Sequence, residues 1–322
     1  MQPSKEAAIF RLILRKLLLL ALIVPLLHAL GFYYALRYEP IFYLPSQVPP
    51  GFNVDDLRPE FSPAYREYLQ GVRQGDWGKT ERTPLTTYMP RFVGRTLILL
   101  GVALVVTVVL GPLLAMLSIS RTTGRISPFA MTLFTLGTAL PGFFLGTLLI
   151  VGILLGSRWG WFGDGGLPIP VQGYGFDSHL VIPVLVLAVR PALYVAYVTA
   201  GLLEHEFQQD YVRVAKSKGL RWRHLLWRHA LPNVAAPVLA TLGRALQITI
   251  GGLLLVETLF DWRGLGWLLF TTVAGRADAP NYFNPPLLAM LLAMFGALLI
   301  LTDLLAALWA YLADPRLRHA GA

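Results

Sequence analysis

One short run of the sequence has residue types that could bind a phosphate group. Residues 75–80 read GDWGKT, and a glycine followed by lysine and threonine closes a nucleotide-binding loop of the Walker A type. That loop also requires a glycine at the position that Arg73 occupies, and a β-strand before it. The sequence has neither the glycine nor a preceding strand pattern, so the run does not indicate a nucleotide site.

A second group of chemically active residues lies in 157–179, a loop rich in Gly, Pro and Trp. It contains Asp164, Asp177 and His179, which could serve a metal or acid–base site. Turn formation and an aromatic belt at a membrane surface explain the same composition better. The six histidines show no H-x-x-x-H spacing, cysteine is absent, and there is no G-x-S-x-G motif. We therefore predict no catalytic residue, no metal site and no cofactor bound by this chain, which is not expected to be an enzyme.

Composition indicates a membrane protein. The chain has 322 residues, of which 55% are hydrophobic and only 14% are charged, a balance too apolar for an ordinary soluble domain. The formal net charge of +9 could suggest nucleic acid as a partner. The basic residues lie mainly in short loops between apolar runs, however, so contact with a membrane surface explains them better.

Six apolar runs are each long enough to cross a hydrocarbon layer of about 30 Å. They occupy residues 17–36, 95–117, 129–155, 180–201, 236–256 and 286–310. The first could be a signal peptide, because basic residues precede it, but its length of about twenty residues and the lack of a small-x-small cleavage site favour a retained span. The predicted fold is an all-α polytopic membrane protein with six transmembrane helices.

Basic residues predict the orientation of these spans. Lysines and arginines are concentrated on the side of the N-terminus, so both termini and the loop 204–236 are expected in the cytoplasm. The prediction divides the chain into four parts: 1–36, the N-terminus and first helix; 37–92, a mixed external segment with a helix around 62–72; 93–312, a five-helix core; and 313–322, a cytoplasmic tail.

The polar loop 204–236 is predicted to form a helix–turn–helix between the fourth and fifth spans. Helical spacing gives each half an apolar face: Phe207, Tyr211, Val214 and Ala215 in the first, and Trp222, Leu225, Leu226 and Ala230 in the second. Gly219 is expected to form the turn, because glycine adopts backbone angles that other residues avoid, and Pro232 is expected to end the second helix. Such a basic elbow suits docking to a soluble partner; the alternative is a loop lying on anionic lipid.

This loop resembles the EAA loop of ABC importer permeases. Ala215, Gly219, Leu231 and Pro232 fall at the matching spacings, and DYVR at 210–213 and RHAL at 228–231 are similar to the peptide and nickel branch of that family. The likeness extends over most of the chain, through GDWGKT at 75–80, PGFFLG at 141–146, ETLFDWRGLG at 257–266 and YLADPR at 311–316. The sequence YEP at 38–40 departs from the family's P-G-D-P, so the external segment is expected to differ.

The resemblance implies a type I ABC importer permease fold and a B-type subunit that forms half of a translocation path for dipeptides or oligopeptides. It implies as partners a second homologous permease, two cytoplasmic ATPases that hold ATP and Mg²⁺, an external solute-binding protein and membrane lipid, but no nucleic acid. The residues implied in ATPase coupling are Asp210, Tyr211, Arg213, Ala215, Lys216, Lys218, Gly219 and Leu220. A nickel or metal-chelate importer of the same family and a secondary transporter remain alternatives, although no internal repeat supports the latter.

Three ionisable residues fall inside predicted spans, where a charge requires a partner or water. Arg244 and Asp303 are expected at a similar depth, about 10–12 Å from the cytoplasmic side at 1.5 Å per residue. We therefore predict an Arg244–Asp303 ion pair between neighbouring helices. Arg190, just before Pro191, could line the translocation path and attract a substrate carboxylate, or could equally bind backbone carbonyls.

Overall fold

The computed structural model describes residues 5–43, 59–80, 83–162, 169–274 and 283–313. Within these ranges the chain forms eleven α-helices, which confirms the all-α expectation. The helices are α1 (Lys5–Tyr43), α2 (Phe61–Arg73), α3 (Leu85–Ser118), α4 (Pro128–Ala139), α5 (Gly142–Arg158), α6 (Val181–Phe207), α7 (Asp210–Ser217), α8 (Trp222–Leu225), α9 (Leu231–Leu259), α10 (Leu265–Val273) and α11 (Pro285–Ala313). Of the predicted tail, 313–322, only Ala313 lies within the described residues.

Several of these helices are long and apolar enough to cross a membrane. Four such segments lie in the described part of the chain, at Leu85–Ser118, Ser178–Phe207, Trp222–Leu259 and Pro285–Trp309, and the α4–α5 pair would be a fifth. The predicted first span lies within α1, which is not one of these four. The structure is thus consistent with a polytopic membrane protein, and the six-span topology stays a prediction.

Helices also occupy parts of the segment predicted to be external. The helix expected around 62–72 is present as α2. In addition, α1 continues to Tyr43 and α3 begins at Leu85, so both helices extend into the range 37–92.

The predicted third span is broken in the middle. Helix α4 ends at Ala139, α5 begins at Gly142, and the two are bent by 102°. Pro141 explains the break, because a proline keeps the preceding residue out of the helical region, and Leu140 is extended, with φ −76° and ψ 131°. The run 129–155, predicted as one of six transmembrane helices, is therefore two helices and not one continuous helix.

The chain divides into two compact units. The first comprises Leu99–Phe260 with Met1–Ile13 and Thr302–Ala322. Its central element is α6, which packs against α4, α5 and α9 and buries fifteen residues. A large apolar cluster, which includes Phe134, Leu203, Phe207 and Leu225, fills the region where the polar loop joins these helices.

The second unit comprises Leu14–Ile98 and Asp261–Leu301. Apolar side chains from α3, α10 and α11 form a buried cluster in this unit, among them Leu85, Phe92, Leu268 and Leu287. Helix α2 packs against α1 through aromatic rings, including Phe32 on Tyr68 at a centroid distance of 5.0 Å. The segment 37–92, which the sequence predicts to be external, therefore contains a helix, α2, that aromatic contacts hold to α1.

A buried hydroxyl group fixes the start of α10 in this second unit. The hydroxyl oxygen of Thr96 accepts a hydrogen bond of 2.7 Å from the backbone N–H of Leu265. Thr96 is fully buried, and the N-cap residue of α10 is Gly264, which has no side chain to serve this role. A side chain of α3 thus caps α10, where the first N–H groups of a helix lack intrahelical partners.

We expect Thr96→Val to lower the free energy of unfolding by about 1–3 kcal/mol, since it leaves the buried Leu265 N–H unpaired at nearly constant shape. Thermal unfolding in detergent would measure this, with Thr96→Ser as the control that keeps the hydroxyl. Equal stability of the valine and serine variants would contradict the capping role.

Candidate functional site

The polar loop forms the helix–turn–helix that its sequence predicted. Helix α6 ends at Phe207, two residues connect it to α7, and α8 begins at Trp222 after a turn at Gly219. Gln209 is extended at the N-cap of α7, with φ −67° and ψ 148°. Asp210 then lies in the first turn, where a negative charge interacts favourably with the helix dipole.

Gly219 makes the turn by adopting a left-handed conformation, with φ +80°. The N–H of Gly219 donates to the carbonyl of Lys216 at 2.9 Å, and the N–H of Leu220 donates to the carbonyl of Ala215 at 3.2 Å. These two bonds define a Schellman motif, which satisfies carbonyls that the end of α7 would leave unpaired. The predicted role of Gly219 as the turn residue is confirmed.

The apolar face predicted for the first helix is wrong. Phe207 belongs to α6, Tyr211 and Val214 are exposed at 38% and 52%, and the residue that α7 buries is Val212, at 1%. The reason is the two-residue break between α6 and α7, which resets the helical phase, so spacings counted from Phe207 do not continue into α7. Of the predicted face, Phe207 is buried and Ala215 is partly buried against the same apolar cluster. Leu220, which the resemblance assigns to ATPase coupling, is exposed at 37%.

The second apolar face is confirmed, but the helix does not end at Pro232. Leu225, Leu226 and Ala230 are buried. After α8 the chain passes through a π-helical turn, Leu226–Ala230, and continues directly into α9 with Pro232 in its first turn. A π turn shifts the hydrogen-bond pattern locally, and the first turn of a helix tolerates a proline that cannot donate.

Stacked aromatic rings hold the two halves of the elbow together. The rings of Phe207 and Trp222 lie 4.2 Å apart at an interplanar angle of 22°. The ammonium of Lys216 lies 6.0 Å from the centre of the Trp222 ring, within the range of a cation–π contact. The end of α6, the end of α7 and the start of α8 therefore meet at one place.

A polar cluster joins the loop to both flanking helices. The Glu206 carboxylate accepts a hydrogen bond from the Tyr211 hydroxyl at 2.5 Å and one from the Asn233 amide at 2.7 Å. Partial burial, and then the hydrogen bond to Glu206, raise the pKa of Tyr211 to about 12. A tyrosine phenol is protonated at neutral pH even at its ordinary pKa of about 10, so the raised pKa only extends the pH range over which Tyr211 can donate. Sequence reasoning missed this cluster.

The loop between α3 and α4 packs against the elbow, which the sequence did not predict. This loop is a tight turn in which the N–H of Ser120 donates to the carbonyl of Arg125 at 2.9 Å. Gly124 has φ +70°, and a Cβ added to it would lie 2.9 Å from the Cβ of Phe207. The amide of Gln208 also reaches the carbonyl of Thr123, at 3.5 Å. A glycine in a short loop between two spans was the one signal for this contact.

The elbow and the neighbouring turn expose many basic side chains. Those with exposed side chains are Arg121, Arg125, Arg213, Lys218, Arg221, Arg223 and Arg228. Asp210 lies 3.4 Å from Arg213, but both are largely exposed, so this pair adds little stability. An exposed basic surface favours an acidic or anionic partner.

All three ionisable residues that the sequence placed inside predicted spans, Arg190, Arg244 and Asp303, lie in the first unit. The carboxylate of Asp303 in α11 accepts a hydrogen bond of 2.9 Å from the amide of Gln247 in α9. Arg244 precedes Gln247 by one helical turn and is exposed. The structure thus assigns Gln247 as a partner of Asp303, and the Arg244–Asp303 pair stays a prediction.

Arg190 lies beside the break between α4 and α5. Its guanidinium Nε donates to the backbone carbonyl of Thr138 at 3.3 Å, and the side chain is otherwise exposed. Backbone contact was one of the two roles considered for this residue, and the structure shows that contact. The role in a translocation path stays a prediction.

The loop 157–179 has the geometry of a turn where it is described. The Asp177 carboxylate accepts hydrogen bonds from the backbone N–H of His179 at 3.0 Å and from its ring at 2.6 Å. The backbone bond is the main cause that lowers the pKa of Asp177, followed by the side-chain bond. Asp164 lies outside the described residues, and no group of three potential metal ligands occurs within them.

Comparison with known proteins identifies the class to which this fold and loop belong. A family model described as the inner membrane component of binding-protein-dependent transport systems matches residues 107–319. The chain belongs to this family, which confirms the resemblance given by the loop. It is therefore a transporter permease subunit and not an enzyme.

Individual relatives match over most of their length. The oligopeptide transport system permease protein AppB of Bacillus subtilis is 29% identical over 79% of this chain and 80% of its own. The dipeptide transport system permease protein DppB of the same organism is 27% identical over 79% and 78%, respectively.

We expect Gly124→Ala to weaken the packing of the α3–α4 turn on the elbow, because the new methyl group meets Phe207 and the backbone is left-handed. Gly75→Ala is the matched control, since Gly75 has φ +89° but no atom within 4 Å of an added Cβ. The left-handed conformation alone costs roughly 1–2 kcal/mol. Thermal unfolding should show a larger loss for Gly124→Ala, and equal losses would contradict a packing role.

Proposed function

We propose that this chain is a permease subunit that imports peptides, with ATP hydrolysis on separate subunits driving it through the elbow, the polar loop 204–236. The observation that carries the proposal is the construction of this elbow. Its short helix α7 ends in a Schellman motif at Gly219, and its Tyr211 hydroxyl donates to Glu206 of α6 and accepts from the Asn233 amide of α9 at 3.3 Å. The peptide substrate is supported by the names of the relatives, which include oligopeptide and dipeptide transport permeases.

The proposal includes the rest of the importer. A second homologous permease completes the path, two cytoplasmic ATPases bind ATP and Mg²⁺, and an external solute-binding protein delivers the peptide. The chain spans the inner membrane six times with both termini in the cytoplasm, as the distribution of basic residues favours. Exposed residues of α7 and the following turn, including Tyr211, Arg213 and Lys218, face the ATPases.

Coupling works because α7 changes position with the state of the ATPases. A ligand or partner shifts a conformational equilibrium only by its difference in affinity between the two states. When α7 moves as a rigid body, the ends of α6 and α9 move with it, and the path opens to the other side. This requires that the turn after α7 keep its geometry throughout the cycle.

We expect Gly219→Val to reduce peptide uptake by about tenfold without loss of the protein from the membrane, since a left-handed conformation costs an ordinary residue roughly 1–2 kcal/mol. An added Cβ at Gly219 meets no atom within 4 Å, so the effect acts through the backbone. Uptake of labelled peptides and co-purification of the ATPases would be measured together.

Gly219→Asn is the matched control, because asparagine tolerates the left-handed region, and most of the uptake should remain. Normal uptake by Gly219→Val in complexes that retain the ATPases would refute coupling through this turn. Peptides of graded length tested in the same assay would define the substrate range.

Arg190 provides a test of the translocation path. If its exposed guanidinium attracts a substrate carboxylate, Arg190→Gln should reduce uptake of peptides with a free C-terminal carboxylate several-fold and leave that of the same peptides with an amidated C-terminus unchanged. Competition between the two kinds of peptide in one assay would measure the ratio. An unchanged ratio would assign Arg190 to the backbone contact with Thr138 alone.

A further inference from the structure

Three helices of the first unit meet at a single carboxylate oxygen. Glu206 lies in the last turn of α6, Tyr211 in the first turn of α7 and Asn233 in the first turn of α9. The same oxygen, Oε1 of Glu206, accepts from Tyr211 at 2.5 Å and from Asn233 at 2.7 Å, and the Asn233 amide also lies 3.3 Å from the Tyr211 hydroxyl oxygen. We call these three residues the polar joint.

Helix α7 has few other contacts that could fix its direction. It has eight residues, and isolated helices shorter than about twelve residues are marginal in water. Val212 is its fully buried side chain, with Ala215 packed beside it. These two neighbouring apolar contacts leave rotation about them open, because apolar attraction is not directional. The contact of Lys216 with the Trp222 ring, at 6.0 Å, lies at the outer limit of a cation–π interaction. Hydrogen bonds to a carboxylate are directional and stronger than those between neutral groups.

The polar joint lies where α7 meets the ends of α6 and α9. Val212 anchors α7 to the apolar cluster that lies beneath the elbow. The polar joint instead connects the first turn of α7 to the ends of the two long helices that the elbow links. A displacement of α7 would therefore reach both helices through bonds at one point.

We propose that Glu206, Tyr211 and Asn233 are positioning residues that keep α7 at a fixed angle to α6 and α9, so that movement of α7 is transmitted to both membrane helices. This inference rests on the proposed function of the elbow as the site of ATPase coupling. It assigns the transmission step to a hydrogen-bonded joint, with Asn233 as the link to α9.

The arrangement of donors and acceptors permits a sharp test by exchange of the two groups. Asn233→Asp removes the amide donor and places a second carboxylate against Glu206, so the joint should separate. Glu206→Gln combined with Asn233→Asp restores one amide and one carboxylate with their positions exchanged. The Tyr211 hydroxyl can donate to the acceptor in either arrangement.

The experiment uses the complete importer, with both permeases, the ATPases and the binding protein, reconstituted in lipid vesicles. Peptide uptake and ATP hydrolysis are measured in the same preparation, and their ratio is the readout. We expect Asn233→Asp to lower uptake per ATP roughly tenfold. The substitution removes a hydrogen bond to a charged group, and a bond of that strength shifts the ratio between the correctly oriented and the displaced α7 by about this factor. The double variant should recover most of the ratio.

Gln209→Ala serves as the control on the same loop, because its amide bonds to His205 four residues earlier and not to the polar joint. Its ratio of uptake to ATP hydrolysis should equal that of the parent. An unchanged ratio for Asn233→Asp, or a lowered ratio that the double variant does not restore, would overturn the proposal. A smaller amount of assembled complex with a normal ratio would also overturn it, since the joint would then serve stability alone.

The Gly219→Val variant, measured in parallel, separates the two proposals. Loss of coupling in Gly219→Val with normal coupling in Asn233→Asp would refute the role of the polar joint and would still support the elbow as the coupling site. Normal coupling in both variants would remove the proposed function as well.

Discussion

The packing of α6 along α9 is the constraint on which the loop geometry depends. These two helices form the most extensive helix–helix contact in the first unit, and the loop leaves the end of one and enters the start of the other. Because the two ends are held side by side, residues 27 positions apart come within hydrogen-bonding distance, as Glu206 and Asn233 do at 2.7 Å. A loop with separated ends could not form such a contact. The elbow is thus a product of the helix pair as much as of its own sequence.

Within that frame, backbone hydrogen bonding sets the direction of each short segment. Gly219 reverses the chain and satisfies the last carbonyls of α7, while stacked Phe207 and Trp222 close the space between α6 and α8. The α3–α4 turn adds a contact from a different part of the chain, where Gly124 lies against Phe207. The surface that results is basic and is held by contacts from α6, α8 and the α3–α4 turn.

Prolines show how the same residue type has different effects in different surroundings. Pro141 breaks a predicted span into α4 and α5, whereas α6 continues through Pro191 and the chain continues past Pro232 by way of a π turn. Each proline removes one hydrogen-bond donor, and the neighbouring residues decide whether the helix continues. Leu140, before Pro141, has an extended backbone. The residues before Pro232 keep helical backbone angles, and Leu226 and Ala230 among them are buried.

The sequence by itself determined the class of the protein and the outline of its site. Long apolar runs predicted helices in the right places, Gly219 was identified as a turn, and the spacing of Leu225, Leu226 and Ala230 gave their buried face, because local periodicity and backbone preference suffice for these features. Motif spacing in the loop also indicated the family that the comparison confirmed.

The tertiary structure alone decided which side chains meet. Val212 replaced the predicted face of α7, because two non-helical residues reset the helical phase, and no local pattern records such a break. Asp303 accepts a hydrogen bond from Gln247, and Glu206 accepts hydrogen bonds from Tyr211 and Asn233. The packing of the helices brings these distant residues to the same level. The sequence analysis matched Arg244 with Asp303 by their depth along two helices. Depth alone does not identify contacting residues, because contact also depends on how each helix is rotated about its axis.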